Sequence, residues 1–239
     1  MALSDGLQGW WCPSLDTSGN GTTTLTDLSG NGNNGTLTNM DAATDWVADT
    51  DSGGVRALDF DGIDDYVAIP ELSSSGDFSI SFWVKPAKAG NDQFWLSYSD
   101  TGVTNGIVLR TLTQWRLWID NNQSFLDVPT ITMDAWHHVV LTRTSGSVNF
   151  YWDGIASTSN PISDSGTFLL DQIARFQNSR WASGRFDALA FYSRAITTGE
   201  ISTIYSGGRS LNLLASVTTQ SIVPQLLMRR RRLSGGLVI

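Results

Sequence analysis

The sequence predicts an all-β chain that folds as an antiparallel sandwich of two sheets. Short stretches of alternating apolar and polar residues recur along most of the 239 residues, with Gly, Asn and Asp concentrated between them. Many short strands at this turn-punctuated spacing are typical of sandwiches rather than of α/β folds. The stretch 136–154 also predicts a hairpin with apolar residues on both faces, which indicates a central strand pair in a two-layer structure.

The individual strands follow from the period-two alternation of side chains on a pleated strand. The alternation is clearest at 78–85, where Phe78, Ile80, Phe82 and Val84 face one side. The predicted strands cover, in chain order, 5–12, two short strands within 57–69, 78–85, 94–98, 106–110, 115–119, the two strands of the 136–154 hairpin, 168–170, 173–176 and 186–191.

One short helix is predicted near 198–206. Thr197 and Glu200 form a capping box, in which the hydroxyl and the carboxylate satisfy free N–H groups at the start of the helix. An apolar face follows the box, and a Gly-Gly pair at 207–208 ends the helix.

Charge divides the chain into an acidic domain, 1–208, and a basic tail, 209–239. The domain has ten basic and 23 acidic residues, a net charge of −13, whereas the tail has five Arg and no acidic residue. An acidic domain argues against general nucleic-acid binding. The tail combines apolar runs with its arginines, and we expect an extended segment that packs on a neighbouring subunit.

Composition sets further limits on the class of protein. No apolar run approaches the roughly 20 residues of a membrane span. The first residues have neither a basic start nor an apolar core, so we expect no signal peptide. Cys12 is the only cysteine, which excludes an internal disulfide, and we expect it to be a small buried residue on the first strand.

Several stretches in a fixed order carry a resemblance to a known fold family. They are 6–11, 27–36, 57–67, 78–85, the hairpin 136–154, whose second strand ends in Asp153-Gly154, and 186–200. Together they resemble the laminin-G-like domain, a concanavalin-A-like jelly roll, over residues 5–208. The resemblance implies the fold more strongly than a function, because this fold hosts binders, enzymes and structural proteins.

The residues needed for catalysis are scarce. Glycoside hydrolysis normally needs two carboxylates about 5–10 Å apart across a cleft, but the chain has only two Glu, Glu71 in a loop and Glu200 in the capping box. The two histidines, His137 and His138, are adjacent and point to opposite faces of a strand, so no catalytic triad is identifiable. We expect a protein that is not an enzyme.

A structural calcium ion is one candidate cofactor. Asp27 and Asn31 place oxygens in a flexible Gly-rich loop of the kind that calcium favours, and the resemblance adds Asp187, which matches an acidic position near the last strand of laminin-G-like domains. The alternative is that Asp27 and Asn31 satisfy backbone groups of a turn and that Asp187 pairs with an arginine.

Glycan binding is the second candidate activity, since it requires exposed aromatic faces beside polar groups. Trp115 and Leu117 share one strand face, and Arg116 and Trp118 share the other, so we expect at least one Trp of this pair to be exposed. The alternative is that these rings fill a large core. The candidate ligand-binding residues are Trp95, Tyr98, Trp115, Trp118 and Trp181.

The basic tail directs the first prediction of function. The stretches 35–41 and 43–47, with the run Arg229, Arg230, Arg231 and Arg232, resemble tailed-phage virion proteins. That resemblance implies a non-enzymatic decoration or fibre protein of the virion, made in the host cytoplasm and anchored through its tail to copies of itself and to other capsid or tail proteins. The alternative is a lectin-like carbohydrate-binding module, with a glycan hydrolase a distant third, and neither a membrane nor nucleic acid is an expected partner.

Overall fold

The computed structural model describes residues 1–90, 92–177 and 179–215 of the chain. The first strands are β1 (Leu7–Trp11), β2 (Thr24–Leu25), β3 (Gly35–Thr38), β4 (Trp46–Ala48), β5 (Arg56–Asp61), β6 (Tyr66–Ser74), β7 (Phe78–Pro86), β8 (Gln93–Ser97), β9 (Gly106–Thr111) and β10 (Gln114–Ile119). The remaining strands are β11 (Asn122–Asp127), β12 (His137–Thr144), β13 (Ser147–Trp152), β14 (Ile155–Ala156), β15 (Ile162–Ser163), β16 (Phe168–Ile173), β17 (Arg175–Phe176), β18 (Arg180–Trp181) and β19 (Ser183–Tyr192). A short 3-10 turn, Asp51–Gly53, lies between β4 and β5, and one α-helix within the described chain, α1 (Thr198–Gly207), follows β19.

Two antiparallel sheets pack face to face, which confirms the predicted sandwich. The nine-stranded sheet has the order β14-β13-β12-β7-β19-β5-β4, with β1 paired to β19 and β15 paired to β13. The eight-stranded sheet has the order β11-β10-β9-β8-β16-β6-β3-β2, and β17 and β18 form a separate hairpin. Within the described residues no helix is long and apolar enough to cross a membrane.

The core lies between the two sheets and is built from the inward positions of each strand. Phe78, Ile80, Phe82 and Val84 all belong to it, which confirms the predicted alternation of β7. Rings from both sheets meet there, and Phe82 of one sheet packs edge-on against Trp115 of the other, with ring centroids 6.3 Å apart. Large buried aromatic side chains dominate the stability of such a core.

The hairpin of β12 and β13 lies in the nine-stranded sheet, as predicted. β12 pairs with β13 on one side and with β7 on the other, so its backbone groups are hydrogen-bonded on both edges. Gly146 has a φ of 77° in the connecting turn, a conformation that costs glycine little.

Helix α1 covers part of the outer face of the nine-stranded sheet. Thr197 and Glu200 form the predicted capping box. Ile201 and Ile204 pack in a second apolar cluster with Val140 of β12 and Tyr192 of β19. Cys12 also lies in this cluster and is fully buried, one position after the end of β1.

The chain after the helix packs back onto the same face. Arg209 has no exposed surface and Leu213 is 4% exposed. The Arg209 Nη1 donates to Asp187 Oδ2 at 2.7 Å, its Nη2 donates to Asp49 Oδ1 at 3.1 Å, and its guanidinium lies 3.8 Å from the ring centroid of Trp136. Arg209 falls within the predicted tail, 209–239, but residues 209–213 pack on the sandwich.

Candidate functional site

The outer face of the eight-stranded sheet carries side chains that a solvated surface does not need. In β10 the residues Trp115 and Leu117 point into the core, and Arg116 and Trp118 therefore point outward. Arg116 lies opposite Phe125 of the edge strand β11, and Phe125 is 40% exposed. Arginine and large aromatic rings thus alternate across this face.

A cleft of 410 Å³ opens on this face, and we call it the sheet-face cleft. Its lining combines rings from β8, β10 and β17 with charged groups from three different parts of the chain. The residues that matter for its chemistry are Asp92, Phe94, Arg116, Trp118, Phe176 and Arg180.

The hairpin of β17 and β18 forms one wall of the sheet-face cleft. Phe176 stacks on Phe94, with ring centroids 4.2 Å apart and an interplanar angle of 11°. Arg180, opposite Phe176 in the hairpin, places its guanidinium 6.0 Å from the Phe94 centroid. The ring stack therefore holds the hairpin against β8.

Two guanidinium groups share one carboxylate in the cleft. The Asp92 Oδ2 accepts from Arg116 Nη1 at 3.2 Å and also from Arg180 Nη1. The Arg116 guanidinium lies 5.8 Å from the Trp118 ring centroid and 5.5 Å from that of Phe125. Cation–π contacts of this kind orient the guanidinium without using its N–H groups.

The cleft contains N–H donors that have no acceptor. The Nε of Arg116 and the Nε1 of Trp118 are both buried and lack a hydrogen-bond partner among the described residues. Because buried polar groups in proteins are nearly always hydrogen-bonded, such orphan donors need an explanation. Neither atom is accessible from the cleft, so a ligand there would contact the half-buried Trp118 ring and the outer N–H groups of Arg180.

The five predicted ligand-binding residues lie in three different environments. Trp95 and Trp115 have no exposed surface and belong to the core, which is the alternative given for them, and they offer no face to a ligand. Tyr98 and Trp181 are half-buried; the Tyr98 hydroxyl donates to Glu71 Oε2 at 3.0 Å, and Trp181 lies opposite Arg175 in the β17–β18 hairpin. Trp118 is the predicted residue that lines the sheet-face cleft.

The structure gives the three predicted calcium ligands other partners. The oxygens of Asp27 accept from the backbone N–H groups of Trp10, Ser29 and Asn33. The Asn31 side-chain amide donates to the carbonyls of Leu7 and Gln8.

Asp187 is fully buried and accepts from Ser14 and Arg209. These contacts are the alternative set out above, and they do not support the calcium site, which stays a prediction. A different acidic group, Asp61, Asp64 and Asp65, has carboxylate oxygens within 4.8 Å of one another. Burial, together with the nearby carboxylates, raises the pKa of Asp65 to about 6.

The two histidines have structural partners. His138 is fully buried, and its Nε2 lies 2.8 Å from the Ser81 hydroxyl. Burial lowers the pKa of His138 to about 3, so its ring is neutral. His137 stacks on Trp152, with its Nδ1 2.8 Å from Asp153 and its Nε2 3.0 Å from the Thr132 carbonyl.

A second cleft, of 280 Å³, lies on the nine-stranded sheet beside the end of α1, and Trp83, Trp136 and Tyr205 contribute its rings. Rings pack on one another or under arginine in both clefts, since Trp83 stacks near Tyr205 and Trp136 is covered by Arg209 here, as Phe94 stacks on Phe176 in the sheet-face cleft. The sheet-face cleft is the better candidate because it is larger and brings Arg116 and Arg180 beside the Trp118 ring. The predicted assembly residues Arg229, Arg230, Arg231 and Arg232 lie outside the described residues.

Solved structures with this fold include carbohydrate-active proteins. Domain 4 of AbnA, an extracellular GH43 arabinanase from Geobacillus stearothermophilus, in complex with arabinotriose, superposes with a TM-score of 0.59 over 82% of this chain and 97% of that chain, at 16% identity. Trypanosoma rangeli sialidase, in complex with sialic acid, superposes with a TM-score of 0.60 over 84% of this chain and 32% of that chain, also at 16% identity. Likeness at this identity shows the fold.

Sequence comparison gives a partial match and a family. A protein of Rattus norvegicus with sushi, von Willebrand factor type A, EGF and pentraxin domains is 30% identical over 118 residues, which is 47% of this chain but 3% of that protein. The family model Laminin_G_3, the concanavalin A-like lectin/glucanases superfamily, matches residues 61–202, which is more than half of the chain. The chain belongs to the Laminin_G_3 family of the concanavalin A-like lectin/glucanases superfamily.

Proposed function

We propose that this protein is a non-enzymatic carbohydrate-binding module whose ligand occupies the sheet-face cleft. The observation that carries the proposal is the combination of aromatic rings with accessible donors, since the half-buried Trp118 ring and the 45% exposed Arg180 side chain line the same cleft. Sugars bind to proteins through such rings, which cover their apolar faces, and through donors that fix their hydroxyl groups.

The size and the walls of the cleft fit this function. Small-molecule sites in proteins are typically about 300–1,000 Å³, and the sheet-face cleft has 410 Å³. The likeness to an arabinanase domain in complex with arabinotriose supports a sugar as the kind of ligand.

The lining also favours binding without hydrolysis. Asp92 is the carboxylate that the described lining provides, and its Oδ2 is held by Arg116 and Arg180. A glycosidase needs a second carboxyl group about 5–10 Å away to act as acid or nucleophile.

A glycan array followed by calorimetric titration of the best ligand tests the proposal. Trp118→Ala is expected to weaken binding at least about tenfold, because the ring that packs on the sugar is lost. Tyr205→Ala, which removes a partly exposed ring from the second cleft, is the matched control and should bind as tightly as the unchanged protein. Folded protein without a hit on the array would refute the proposal, and loss of binding in Tyr205→Ala alone would move the site to the second cleft.

The prediction of a virion protein stays a prediction of the sequence. It rests on the stretches 35–41 and 43–47 and on the arginine run of the tail, and the arginine run lies outside the described residues. Glycan binding by the sandwich is compatible with it, because a module of this kind also functions as part of a larger assembly.

A further inference from the structure

The charges in the sheet-face cleft differ from those of the rest of the domain. Residues 1–208 carry ten basic and 23 acidic residues, yet the lining of the cleft contains two arginines and one aspartate. A third arginine, Arg110, lies over the other side of this surface with its guanidinium 4.8 Å from the Phe125 centroid. Its side-chain partner is the neutral Gln114, at 3.3 Å.

The two cleft arginines are not fully used by protein groups. Arg116 and Arg180 both donate to the same atom, Asp92 Oδ2, so one carboxylate oxygen faces two positive charges. The Nε of Arg116 is buried without an acceptor. Arginine is suited to bidentate recognition of carboxylate and sulfate-like groups through its planar set of N–H donors.

The accessible charged groups in the cleft are donors. The Arg180 side chain is 45% exposed, and its Nη1 donates to Asp92 while its other N–H groups have no partner among the described residues. A neutral sugar hydroxyl can accept from these N–H groups, but an anionic oxygen also balances the excess guanidinium charge.

We propose that the cleft selects anionic glycans, with the ligand's carboxylate or sulfate held by Arg116 and Arg180 and a sugar ring packed on Trp118. This inference rests on the proposed function and specifies the ligand class of the same site. The anionic group could be a uronic acid carboxylate or a sulfate ester, because both present the planar or tripodal oxygens that guanidinium groups bind.

The experiment compares ligands that differ only in charge. Oligogalacturonate and its methyl ester have the same sugar rings, and a heparin-derived tetrasaccharide adds sulfate groups to uronic acid carboxylates. We expect at least one of the two anionic ligands to bind about tenfold or more tightly than the methyl ester. Added salt should reduce this preference, because it screens a partly exposed ion pair.

Two variants test the assigned arginines. Arg180→Gln alters a side chain that is 45% exposed and is expected to fold normally, and Arg116→Gln alters a side chain that is 12% exposed. Each should lower the affinity for the anionic ligand about tenfold and leave the affinity for the ester nearly unchanged. Lys88→Gln removes one positive charge away from the cleft lining and should have no effect.

The outcomes separate this inference from the proposed function. Equal affinity for acid and ester, or binding of neutral glycans alone, would overturn the anionic preference while the glycan-binding proposal stands. No binding to any glycan would overturn both. Equally tight binding of a single-stranded oligonucleotide that is lost in both arginine variants would replace the glycan with a nucleic acid.

Discussion

A buried neutral histidine predicts a specific loss of stability in acid. His138 has no exposed surface, and its ring stacks on Trp83 with centroids 4.9 Å apart. Its Nε2 pairs with the Ser81 hydroxyl, and its Nδ1 has no partner among the described residues. Burial lowers the pKa of His138 from 6.5 to about 3, although the nearby Asp153 carboxylate opposes the shift.

The sign of the effect follows from proton linkage. The unfolded chain binds a proton at His138 near pH 6.5, whereas the folded protein does so only near pH 3. The stability that this group contributes is therefore fully present above pH 6.5 and is lost as the pH falls toward 3. With these two pKa values, the loss between about pH 7.5 and about pH 4.5 is about 2–3 kcal/mol.

The double variant Ser81→Ala/His138→Phe removes the titrating group and keeps a ring against Trp83. It also removes the hydroxyl that would otherwise lose its partner, since an unpaired buried hydroxyl costs about 1–3 kcal/mol. Urea unfolding at about pH 7.5, 6 and 4.5 gives the free energy of unfolding of each protein. Between about pH 7.5 and about pH 4.5 the unchanged protein should lose about 2–3 kcal/mol more of its free energy of unfolding than the double variant does. The groups that both proteins share cancel in this comparison.

The second histidine provides the matched control. His137→Gln leaves His138 in place, so its stability should fall in acid as steeply as that of the unchanged protein. If the double variant loses as much stability in acid as the unchanged protein does, the assignment of a neutral buried His138 is wrong.

Three further predictions concern stability and assembly. Arg209→Met should lower the free energy of unfolding by about 3–5 kcal/mol, because Asp187 would remain buried without its cation, although Asp49 would keep Arg185 and Lys85. Arg180→Gln should cost less than about 1 kcal/mol, and similar losses in urea unfolding would contradict the contrast. Partial burial opposes the shift, but hydrogen bonds from Arg194 and Thr197 lower the pKa of Glu200 to about 2. The stability that Glu200 contributes is therefore present above pH 4.5 and is lost in stronger acid. Glu200→Gln should lower the free energy of unfolding by about 1–2 kcal/mol at neutral pH and should reduce the further loss of stability below pH 4.5. Deletion of 216–239 should leave a folded sandwich with fewer subunits per particle, as measured by light scattering. An unchanged number of subunits would refute assembly through the tail.

The elements that the sequence predicts correctly are those with a simple pattern. The alternation of β7 and the capping box of α1 each depend on neighbouring residues alone, and both are present. Strand β11 was not predicted, because Asn122–Asp127 is an edge strand with one fully buried side chain, Leu126, and such a strand has little apolar pattern. The hairpin of β17 and β18 was also missed, since its position depends on the stack of Phe176 on the distant Phe94.

The candidate site was harder to predict for a physical reason. The alternation in β10 correctly places Trp118 on the outer face with Arg116, but it cannot bring Asp92, Phe94 and Arg180 beside them, because these residues come from two other segments that are distant in sequence. Abundance of tryptophan is also a poor guide, since Trp95 and Trp115 fill the core. Likewise, a composition boundary at 208 could not show that Arg209 belongs to the sandwich, because its partners Asp49 and Asp187 are distant in sequence.

The two outer faces of the sandwich differ in a way that favours the eight-stranded sheet as the proposed binding surface. The nine-stranded sheet uses part of its outer face for the chain itself, since Ile201, Ile204 and Leu213 pack on Val140 and Tyr192.

In the part of the chain that the structure describes, no helix packs over Arg116, Trp118 and Phe125 of the eight-stranded sheet. A purely solvated face would need only polar residues, whereas this face keeps rings beneath guanidinium groups and leaves buried N–H donors unpaired. Each unpaired donor destabilises the protein by about 1–3 kcal/mol. Trp118→Phe removes one such donor and leaves a smaller ring on the outer face, so it should stabilise the free protein slightly while it weakens the proposed binding.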